Sequence, residues 1–346
     1  MGRCAIVSFR LGLTDGVSVV AGGWRRALER LGWVTFTVAG EGPVDRTLPG
    51  LAIEADIPPA FDDLATALES ADLVVVENLL SIPLNLGASK VLAQVLRGRP
   101  AILHHHDPPW QRQRFVHITE LPPDDPAWAH VTINRLTERE FAQRGLTATT
   151  IYNGFDVDPP PGDRAGTRDR LDVEPNEILA AHPVRAIARK NIPAALELCR
   201  RIGATYWIPG DVEEGYGPEF EPLVAASPVR IIRRAVDRQE ITMPDLYAAC
   251  DLVVFPSTWE GFGNPPIEAA IHCRPVAVGH YPVAEELREL GFRWLDPDRP
   301  DELAAALTSP PTTMLDTNHR LAVTRLSHER MTADIAELLA SRGWRP

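Results

Sequence analysis

The chain has few cysteines and no long apolar run. Its four cysteines, Cys4, Cys199, Cys250 and Cys273, are widely separated and lie in apolar stretches. We therefore expect buried thiols in a reducing cytoplasm rather than disulfides or a zinc site. No stretch reaches the roughly 18–20 apolar residues that span a bilayer, so no integral membrane segment is expected. The N-terminal segment lacks the length and cleavage site of a signal peptide and is interpreted as a first strand.

Positive charge is also scarce. The 346 residues include 35 lysines and arginines against 47 aspartates and glutamates, which gives a formal net charge of −12. Because the phosphate backbone of a nucleic acid requires a basic surface, no nucleic acid is expected as a partner. The charge balance leaves room for a small anion held in one local basic pocket.

Two cofactor signatures are missing as well. No Gly-x-Gly-x-x-Gly fingerprint follows a predicted strand, which disfavours a nicotinamide-dependent oxidoreductase. No Asp-x-Asp-like cluster follows a strand, and no second histidine or cysteine cluster completes a metal site. The sequence therefore predicts a reaction that needs no cofactor and no metal ion.

Apolar runs alternate with helical patterns along the whole chain, which is typical of parallel βαβ units. Predicted strands cover 4–9, 34–38, 72–78, 101–107, 131–134, 178–183, 205–210, 229–232, 252–255, 275–279 and 292–295. The pattern predicts an α/β protein of two doubly wound, Rossmann-like domains that face each other across a cleft.

The domain boundary is expected at a segment rich in proline, glycine and charge, 151–170. The predicted domains are an N-terminal one, 1–155, and a C-terminal one, 156–325. The stretch 319–343 is predicted as a long helical ending, and 326–346 is predicted to pack back on the N-terminal domain. No particular oligomeric state is predicted.

Three helix starts are indicated by capping residues. Ser18 is the expected N-cap of the first helix, Thr137 with Glu140 forms a capping box, and Asn264 caps a helix that begins at Pro265.

Polar side chains follow the predicted strands, where open α/β sheets bind their ligands. Asp15 and Gly16 follow the first strand, and a glycine there lets the backbone approach a phosphate or a sugar. An ordinary strand-to-helix turn is the alternative. His106 ends the fourth strand on the same face as His104, before Asp107. A polar group facing the cleft is favoured over a metal ligand.

The second half carries cations and carboxylates after its strands. Arg185 and Lys190 are five residues apart just before a helix, which favours an anion site, although two solvated charges are the alternative. Glu260 and Glu268, with seven residues between them, flank a strand-to-helix turn. Glu268 also suits the helix dipole. Carboxylates at this position accept hydrogen bonds from vicinal hydroxyls, such as those of a ribose and a hexose.

The segment 244–278, with its Phe-Pro-Ser, Glu-Gly-Phe-Gly and glutamate–seven–glutamate elements, resembles the donor-binding core of family 4 glycosyltransferases. These are retaining enzymes of the GT-B fold in the glycogen-synthase-like superfamily. The pair Arg185 and Lys190 resembles the family's diphosphate clamp, and "HHHD" its strand-end histidine. The resemblance covers nearly the whole chain. Within it, "GHYPVAEE" replaces a Gly-Gly-x-Pro-Glu element, so that His280 and Tyr281 stand where backbone contacts are usual.

The resemblance implies roles for individual residues. His106, Arg185, Lys190 and Glu260 form the catalytic set, and Glu268 binds the ribose of the nucleotide. The implied donor-binding residues are Asp15, Gly16, Arg185, Lys190, Glu260, Gly261, Phe262, Gly263, Asn264 and Glu268. The donor is a UDP-, GDP- or ADP-sugar.

The acceptor is expected in the N-terminal half. Glu77 and Asn78 close a strand, Trp110 is placed to stack on a sugar ring, and Arg112 or Arg114 is placed to hold a carboxylate or a phosphate. For the loop that carries these last three residues, an ordinary surface loop is favoured over an anion-binding role.

We therefore predict a cytoplasmic, retaining, metal-independent hexosyltransferase that acts on a hydroxyl of a small soluble acceptor. A nucleotide-sugar epimerase of the same fold and a catalytically silent sugar-nucleotide-binding protein are the alternatives.

Overall fold

A computed structural model describes residues 1–13, 15–236 and 240–346. Thr14, in the predicted loop after the first strand, lies outside these residues. The chain divides into two units. The first comprises Met1–Phe155 with Leu326–Pro346, and the second comprises Asp156–Arg325.

The first unit is built on a seven-stranded parallel sheet in the order β3-β2-β1-β4-β5-β6-β7. Its strands are β1 (Arg3–Arg10), β2 (Val34–Glu41), β3 (Arg46–Thr47), β4 (Leu73–Glu77), β5 (Ala101–His105), β6 (Trp128–Thr132) and β7 (Ala148–Thr150). The helices between them are α1 (Gly16–Arg30), α2 (Phe61–Leu68), α3 (Leu86–Leu96) and α4 (Arg135–Gln143).

The second unit has a five-stranded parallel sheet in the order β10-β9-β8-β11-β12. Its strands are β8 (Leu179–Ala181), β9 (Thr205–Trp207), β10 (Ile231–Ile232), β11 (Leu252–Phe255) and β12 (Val276–Val278). Its helices are α5 (Arg164–Arg170), α6 (Ile192–Ile202), α7 (Gly217–Ala226), α8 (Met243–Ala249), α9 (Asn264–Ile271), α10 (Pro282–Glu289), α11 (Pro300–Thr308) and α12 (Thr312–Arg325). The last helix of the chain, α13 (His328–Ser341), belongs to the first unit.

Strand β1 shows why the first sheet is covered on both faces. The six residues between Arg3 and Arg10 are buried and their side chains point alternately to the two faces of the sheet. Cys4 and Ile6 lie in the cluster that contains Trp24 of α1 and Ile335 of α13. Ala5, on the opposite face, belongs to the cluster formed with α2 and α3. Helices on both faces of a parallel sheet are the arrangement predicted from the continuous apolar runs.

Each sheet reverses its strand order at one point. In the first unit β1 pairs with both β2 and β4, and in the second unit β8 pairs with both β9 and β11. The loops that follow β1 and β4, and those that follow β8 and β11, therefore flank the two switch points at which such sheets bind ligands.

The predicted helix caps are wrong by a few residues. Asp15, not Ser18, is the N-cap of α1, and its carboxylate accepts from the Ser18 backbone N–H at 3.2 Å. Asn134, rather than the predicted Thr137 and Glu140 pair, caps α4. In both helices the true cap is an Asp or Asn three residues upstream of the predicted one.

The predicted cap of α9 is also wrong. Asn264 is the first residue of the helix, and Gly263, with φ of 93°, precedes it as the N-cap. Pro265 is therefore the second helical residue. A left-handed glycine turns the chain at this point, so the helix begins one residue earlier than a capping asparagine would place it.

Three further expectations fail. The predicted strand 292–295 is absent, and only one isolated bridge joins Leu295 to Ala277. The rings of Phe292 and Trp294 stack with centres 5.1 Å apart. The predicted C-terminal helix is two helices, α12 and α13, and Ser327 caps the second. Cys273, expected to be buried, is exposed, whereas the other three cysteines are buried.

Within the described ranges, no helix combines the length and the apolar character needed to cross a membrane.

Candidate functional site

The loop after β8 carries the cations of the second unit and is tied to the loop after β11. Residues Ala188–Lys190 form one 3-10 turn, which ends at Asn191 with φ of 53°. The Asn191 side chain donates to the carbonyl of Pro256 at 3.3 Å. The backbone N–H of Thr258 donates to the carbonyl of Arg189 at 2.9 Å. These bonds hold Arg189 and Lys190 beside the turn that follows β11.

Glu260 is clamped between those two cations. Its Oε1 accepts from the Lys190 ammonium and its Oε2 from the Arg189 guanidinium. The Lys190 and Glu260 side chains are only 9% and 7% exposed, and the ammonium also lies 5.1 Å from the centre of the Phe255 ring. Two cations against one carboxylate leave this cluster with net positive charge, which suits an incoming anion.

The pKa values of Lys190 and Glu260 are both lowered, but for different reasons. Burial, reinforced by the neighbouring Arg189, lowers the pKa of Lys190 to about 8 although Glu260 opposes the change. Burial acts to raise the pKa of Glu260, but the charges of Lys190 and Arg189 outweigh it and lower that pKa. At neutral pH the cluster is therefore a charged pair with an extra arginine.

Arg185, the other predicted clamp residue, is engaged elsewhere. Its guanidinium pairs with Glu213 at 2.5 Å and is 36% exposed. The backbone near the two residues is also joined, because the N–H of Ala186 donates to the carbonyl of Asp211 at 2.8 Å. The structure thus brings Lys190 and Glu260 into contact and holds Arg185 at the rim, paired with an acid from the loop after β9.

The turn between Glu260 and Glu268 depends on Gly263. With φ of 93°, this residue has a backbone conformation that favours glycine, and a Cβ built on it would lie 2.4 Å from the Tyr281 hydroxyl. Gly261, Phe262 and Asn264 form the rest of the turn, and the Phe262 side chain is buried. The turn is therefore shaped by the left-handed backbone of Gly263 and by the close approach of the Tyr281 hydroxyl to it.

Glu268 lies one turn into α9, and one of its carboxylate oxygens has a partner. The hydroxyl of Tyr247 donates to Oε2 at 2.6 Å, and the Tyr247 ring stacks on His272 at 4.8 Å. Burial raises the pKa of Glu268, while the hydrogen bond from Tyr247 acts to lower it. Tyr247 thus orients the carboxylate through one oxygen.

A second cluster lies in the first unit at the end of β4 and β5. Oε2 of Glu77 accepts from His104 Nδ1 and from His106 Nε2, both at 2.8 Å. Glu77 is fully buried and His106 is 6% exposed. Burial acts to raise the pKa of Glu77, but the two histidines lower it to about 2. The predicted shared face of His104 and His106 is confirmed.

His105 points the other way and belongs to a separate chain of hydrogen bonds. Its Nε2 lies 2.9 Å from His130 Nδ1, and His130 Nε2 lies 3.1 Å from Asp124. His105 also packs on Phe141 with ring centres 4.7 Å apart. This histidine therefore has a structural environment.

The predicted acceptor residues are dispersed. Glu77 is buried beneath its histidines and presents no surface to an acceptor. Asn78, with φ of 60°, uses its side-chain oxygen to accept from the backbone N–H groups of His106 at 3.2 Å and Asp107 at 3.1 Å. Arg112 forms an ion pair with that same Asp107. These residues build the loop rather than line an open surface.

Trp110 is also partly covered. Its indole N–H donates to Glu140 at 2.8 Å, and the Arg144 guanidinium lies over its ring at 3.9 Å. Arg114 is exposed and rests on the Phe115 ring. Of the two predicted cation candidates in this loop, Arg114 is the exposed one.

Asp15 and Gly16 lie at the start of α1, after β1. The Asp15 carboxylate accepts from the Ser18 hydroxyl at 2.8 Å and pairs with Arg10 at 3.4 Å. No described atom lies within 4 Å of a Cβ built on Gly16. The space beside this glycine is open within the described part of the chain.

Sequence reasoning missed three residues of the second-unit site. Arg189 precedes Lys190 directly, and its presence in "ARKN" was the available signal. Tyr247 lies one helix before the turn, and Glu213 comes from a loop 28 residues after its partner. Neither of these two has a spacing pattern that indicates its contact.

Residues 187–309, which include Lys190 and the whole turn, match the family model described as Glycosyl transferases group 1. Two curated relatives are mannosylglucosylglycerate synthases. The protein from Thermotoga maritima is 25% identical over 85% of this chain and 84% of its own. The protein from Petrotoga mobilis is 24% identical over 83% of this chain and 84% of its own.

Solved structures show the same architecture. Alr3699/HepE of Anabaena, in complex with UDP and glucose, superposes with a TM-score of 0.75 at 20% identity, covering 99% of this chain and 100% of that one. WaaG, a glycosyltransferase involved in lipopolysaccharide biosynthesis, superposes with a TM-score of 0.66 at 15% identity, covering 97% and 99%. These likenesses show the GT-B fold. With the family model, they confirm the resemblance to GT-B glycosyltransferases of the glycogen-synthase-like superfamily, while membership of family 4 stays a prediction.

Proposed function

We propose that this glycosyltransferase of the GT-B type is a cytoplasmic, retaining enzyme of family 4. It moves a hexosyl group from a nucleotide diphosphate sugar to a hydroxyl of a small soluble acceptor, without a metal ion. The observation that carries the proposal is the buried cluster of Lys190, Arg189 and Glu260 at the switch point of the second sheet. In this proposal the second unit binds the donor and the first binds the acceptor.

The cations of the cluster stabilise the departing diphosphate. In transfer from a sugar nucleotide, negative charge grows on the diphosphate as its bond to the anomeric carbon breaks. Lys190 and Arg189 are already fixed by Glu260, so little reorganisation is needed when that charge develops. Arg185 joins them from the rim by leaving Glu213, an exposed pair that costs little to break. These cations perform the charge stabilisation that a divalent ion performs in other transferases.

The carboxylates bind hydroxyls rather than act as a hydrolytic pair. Glu260 is committed to two cations, which favours a sugar-binding and cation-fixing role over that of a nucleophile or general acid. Glu268 has one oxygen bonded to Tyr247, and its other oxygen is assigned to the ribose. Retention at the anomeric carbon follows from the family resemblance, through attack on the same face as the leaving group.

The acceptor is proposed from the names of the relatives. Both curated relatives are mannosylglucosylglycerate synthases, and such an enzyme makes a glycoside of a small hydroxy acid. A small, anionic, polyhydroxylated acceptor would suit Arg114, the exposed arginine of the loop after β5. Stacking on Trp110 would require Arg144 to leave the ring, so the arginine is the better candidate.

A panel of UDP-, GDP- and ADP-sugars, assayed by thermal unfolding, tests the proposal. A ligand that binds only the folded state raises the midpoint, by mass action, and one nucleotide should do so clearly. Absence of a shift with every nucleotide sugar would contradict donor binding.

Turnover separates the alternatives. The stabilising donor, incubated with a panel of sugars and small hydroxy acids that includes glucosylglycerate, should yield a glycoside with the anomeric configuration of the donor. Conversion of the nucleotide sugar without an acceptor would indicate the epimerase. Tight binding with no product from any acceptor would indicate the silent binding protein.

A further inference from the structure

Glu77 holds two histidines with one oxygen, and this carboxylate has no access to solvent. Its Oε2 lies 2.8 Å from His104 Nδ1 and 2.8 Å from His106 Nε2. Its Oε1 and His104 Nε2 have no hydrogen-bond partner among the described residues. A buried carboxylate is costly unless donors compensate it, so each histidine donates an N–H hydrogen bond to Oε2.

Those donations fix the tautomers of both rings. A neutral imidazole carries one N–H, and the other nitrogen is an acceptor. His104 donates through Nδ1, which leaves Nε2 as its buried, unprotonated atom. His106 donates through Nε2, which leaves Nδ1 as the nitrogen with a free lone pair. His106 retains 6% exposure, whereas His104 has 1%.

Among the described residues, aromatic rings and an amide pack around this pair. The ring of His104 packs against that of His106 with centres 4.5 Å apart, and Trp24 of α1 covers the other side of His104 at 4.5 Å. The backbone N–H of His106 is held by the side chain of Asn78. Glu77 is thus the carboxylate bonded to the His106 ring.

We propose that Glu77 is a positioning residue for the transferase reaction. It locks His106 in the Nε2–H tautomer, so that Nδ1 is the ring atom that accepts a hydrogen bond from a substrate hydroxyl. The inference rests on the proposed function and on His106 as a member of its catalytic set. It replaces the sequence-based role of Glu77 as an acceptor-binding residue.

A metal ion bound by the same three side chains is the competing explanation, because their ligand atoms lie within 4.8 Å of one another. The distances disfavour it. Two atoms that each lie about 2.0–2.2 Å from a tetrahedral ion are roughly 3.4 Å apart, whereas the carboxylate oxygen lies 2.8 Å from both nitrogens. Hydrogen bonds have this length.

The tautomer is measured directly by NMR of protein labelled with ¹⁵N at histidine. Protonated and unprotonated ring nitrogens resonate in separate regions, and a His106→Asn variant assigns the His106 signals. We expect Nε2 protonated and Nδ1 unprotonated in the full chain, and an admixture of the other tautomer in Glu77→Gln. An Nδ1–H tautomer of His106 in the unmodified protein would overturn the proposal, as would one equivalent of tightly bound metal that shifts the His106 signals.

A matched pair of variants separates positioning from stability. Glu77→Gln removes the charge, while His104→Gln disturbs the same buried cluster and leaves His106 bonded to Glu77. Both should lower the unfolding midpoint. Kinetics are measured with the donor and the acceptor that the two panels of the proposed function identify. Glu77→Gln should lower kcat on the order of 10–100-fold, as loss of other orienting carboxylates does. KM for the donor should stay within about threefold of the value for the unmodified protein. His104→Gln should lose much less activity.

Equal losses of kcat in the two variants would overturn the proposal, since a merely structural role predicts them. Should the unmodified protein transfer no sugar at all, the proposed function fails, and the NMR result still decides whether Glu77 fixes the tautomer of His106.

Discussion

Lys190 and Glu260 form a buried ion pair although 70 residues separate them in the chain. The contact arises because β8 and β11 are parallel neighbours, so that the loops at their carboxyl ends meet. Glu260 accepts from Arg189 as well, so that one carboxylate fixes two cations at the switch point of the sheet. The same ion pair connects the loop after β8 to the turn that follows β11.

Replacing Lys190 by alanine should slow transfer much more than it weakens nucleoside binding. In the proposed mechanism the ammonium stabilises the departing diphosphate, and loss of one such donor costs on the order of 10²–10³ in kcat. Isothermal titration with the nucleoside, beside kinetics with the nucleotide sugar, measures both effects. Lys90→Ala is the matched control, because this exposed lysine is the only other lysine of the chain. Equal losses in the two measurements would contradict the assigned role.

Affinity for the nucleoside diphosphate should fall as the pH rises above about 8. Burial lowers the pKa of Lys190 to about 8, so the ammonium of the free protein is deprotonated above that pH. Binding of the diphosphate must then be accompanied by uptake of a proton from solution. The dissociation constant should rise by up to about tenfold per pH unit. Lys190→Arg should abolish this dependence between pH 7.5 and 9.5 because arginine stays protonated there. A slope that persists in the arginine variant would assign the titration to another group.

Glu268→Ala should weaken binding of the nucleotide itself. Hydrogen bonds to a charged group contribute about 1.5–3 kcal/mol, which corresponds to roughly 10–100-fold in affinity. Nucleotides that lack one ribose hydroxyl should bind the unmodified protein more weakly and should lose nothing further in Glu268→Ala. Tyr247→Phe removes only the hydrogen bond to Oε2 and should cost less. Full additivity of the deoxynucleotide and Glu268→Ala effects would show that the carboxylate does not bind the ribose.

Gly263→Ala should destabilise the protein by about 2 kcal/mol or more, because left-handed strain and a steric clash combine. The clash is with the Tyr281 hydroxyl, 2.4 Å from the new Cβ. Gly98→Ala is the control, since Gly98 has φ of 70° and no described atom near its Cβ position. Thermal unfolding should show a larger loss for Gly263→Ala, which Tyr281→Phe partly relieves. Equal losses of stability in the two alanine variants would show that backbone strain alone, without the clash, destabilises Gly263→Ala.

Transfer should be unaffected by EDTA. The proposed mechanism assigns stabilisation of the diphosphate to Lys190, Arg189 and Arg185, so removal of divalent ions removes nothing that the reaction uses. Initial rates with and without millimolar EDTA, and after readdition of Mg²⁺ or Mn²⁺, measure this. Loss of activity that either ion restores would contradict a metal-independent reaction.

Much of the second-unit site follows from the sequence. Parallel strands end at one edge of their sheet, so post-strand residues such as Lys190 and Glu260 could be expected to meet. Glu213 could not be expected beside Arg185, because a loop after a different strand supplies it. Tyr247 was missed for a similar reason, since a helix that precedes the turn carries it to Glu268.

The first-unit site shows where local patterns fail. Glu77 was expected to face an acceptor because it ends a strand, but two histidines from the neighbouring strand cover it. Strand alternation correctly separated His105 from those histidines. The helix caps were misplaced because Asp15 and Asn134 turn the chain earlier than the predicted residues do. Such contacts depend on where each loop ends in space, which spacing alone does not fix.

The loops after β8 and β11 are joined by hydrogen bonds to main-chain carbonyls as well as by charge. Thr258 donates to the Arg189 carbonyl and Asn191 donates to that of Pro256. A ligand that binds here meets groups already immobilised, so little conformational entropy is lost on association. The same coupling restricts how this edge of the protein can evolve. Insertions that an ordinary surface loop would tolerate would break bonds in both loops, so changes in ligand preference are expected by substitution rather than by changes in loop length.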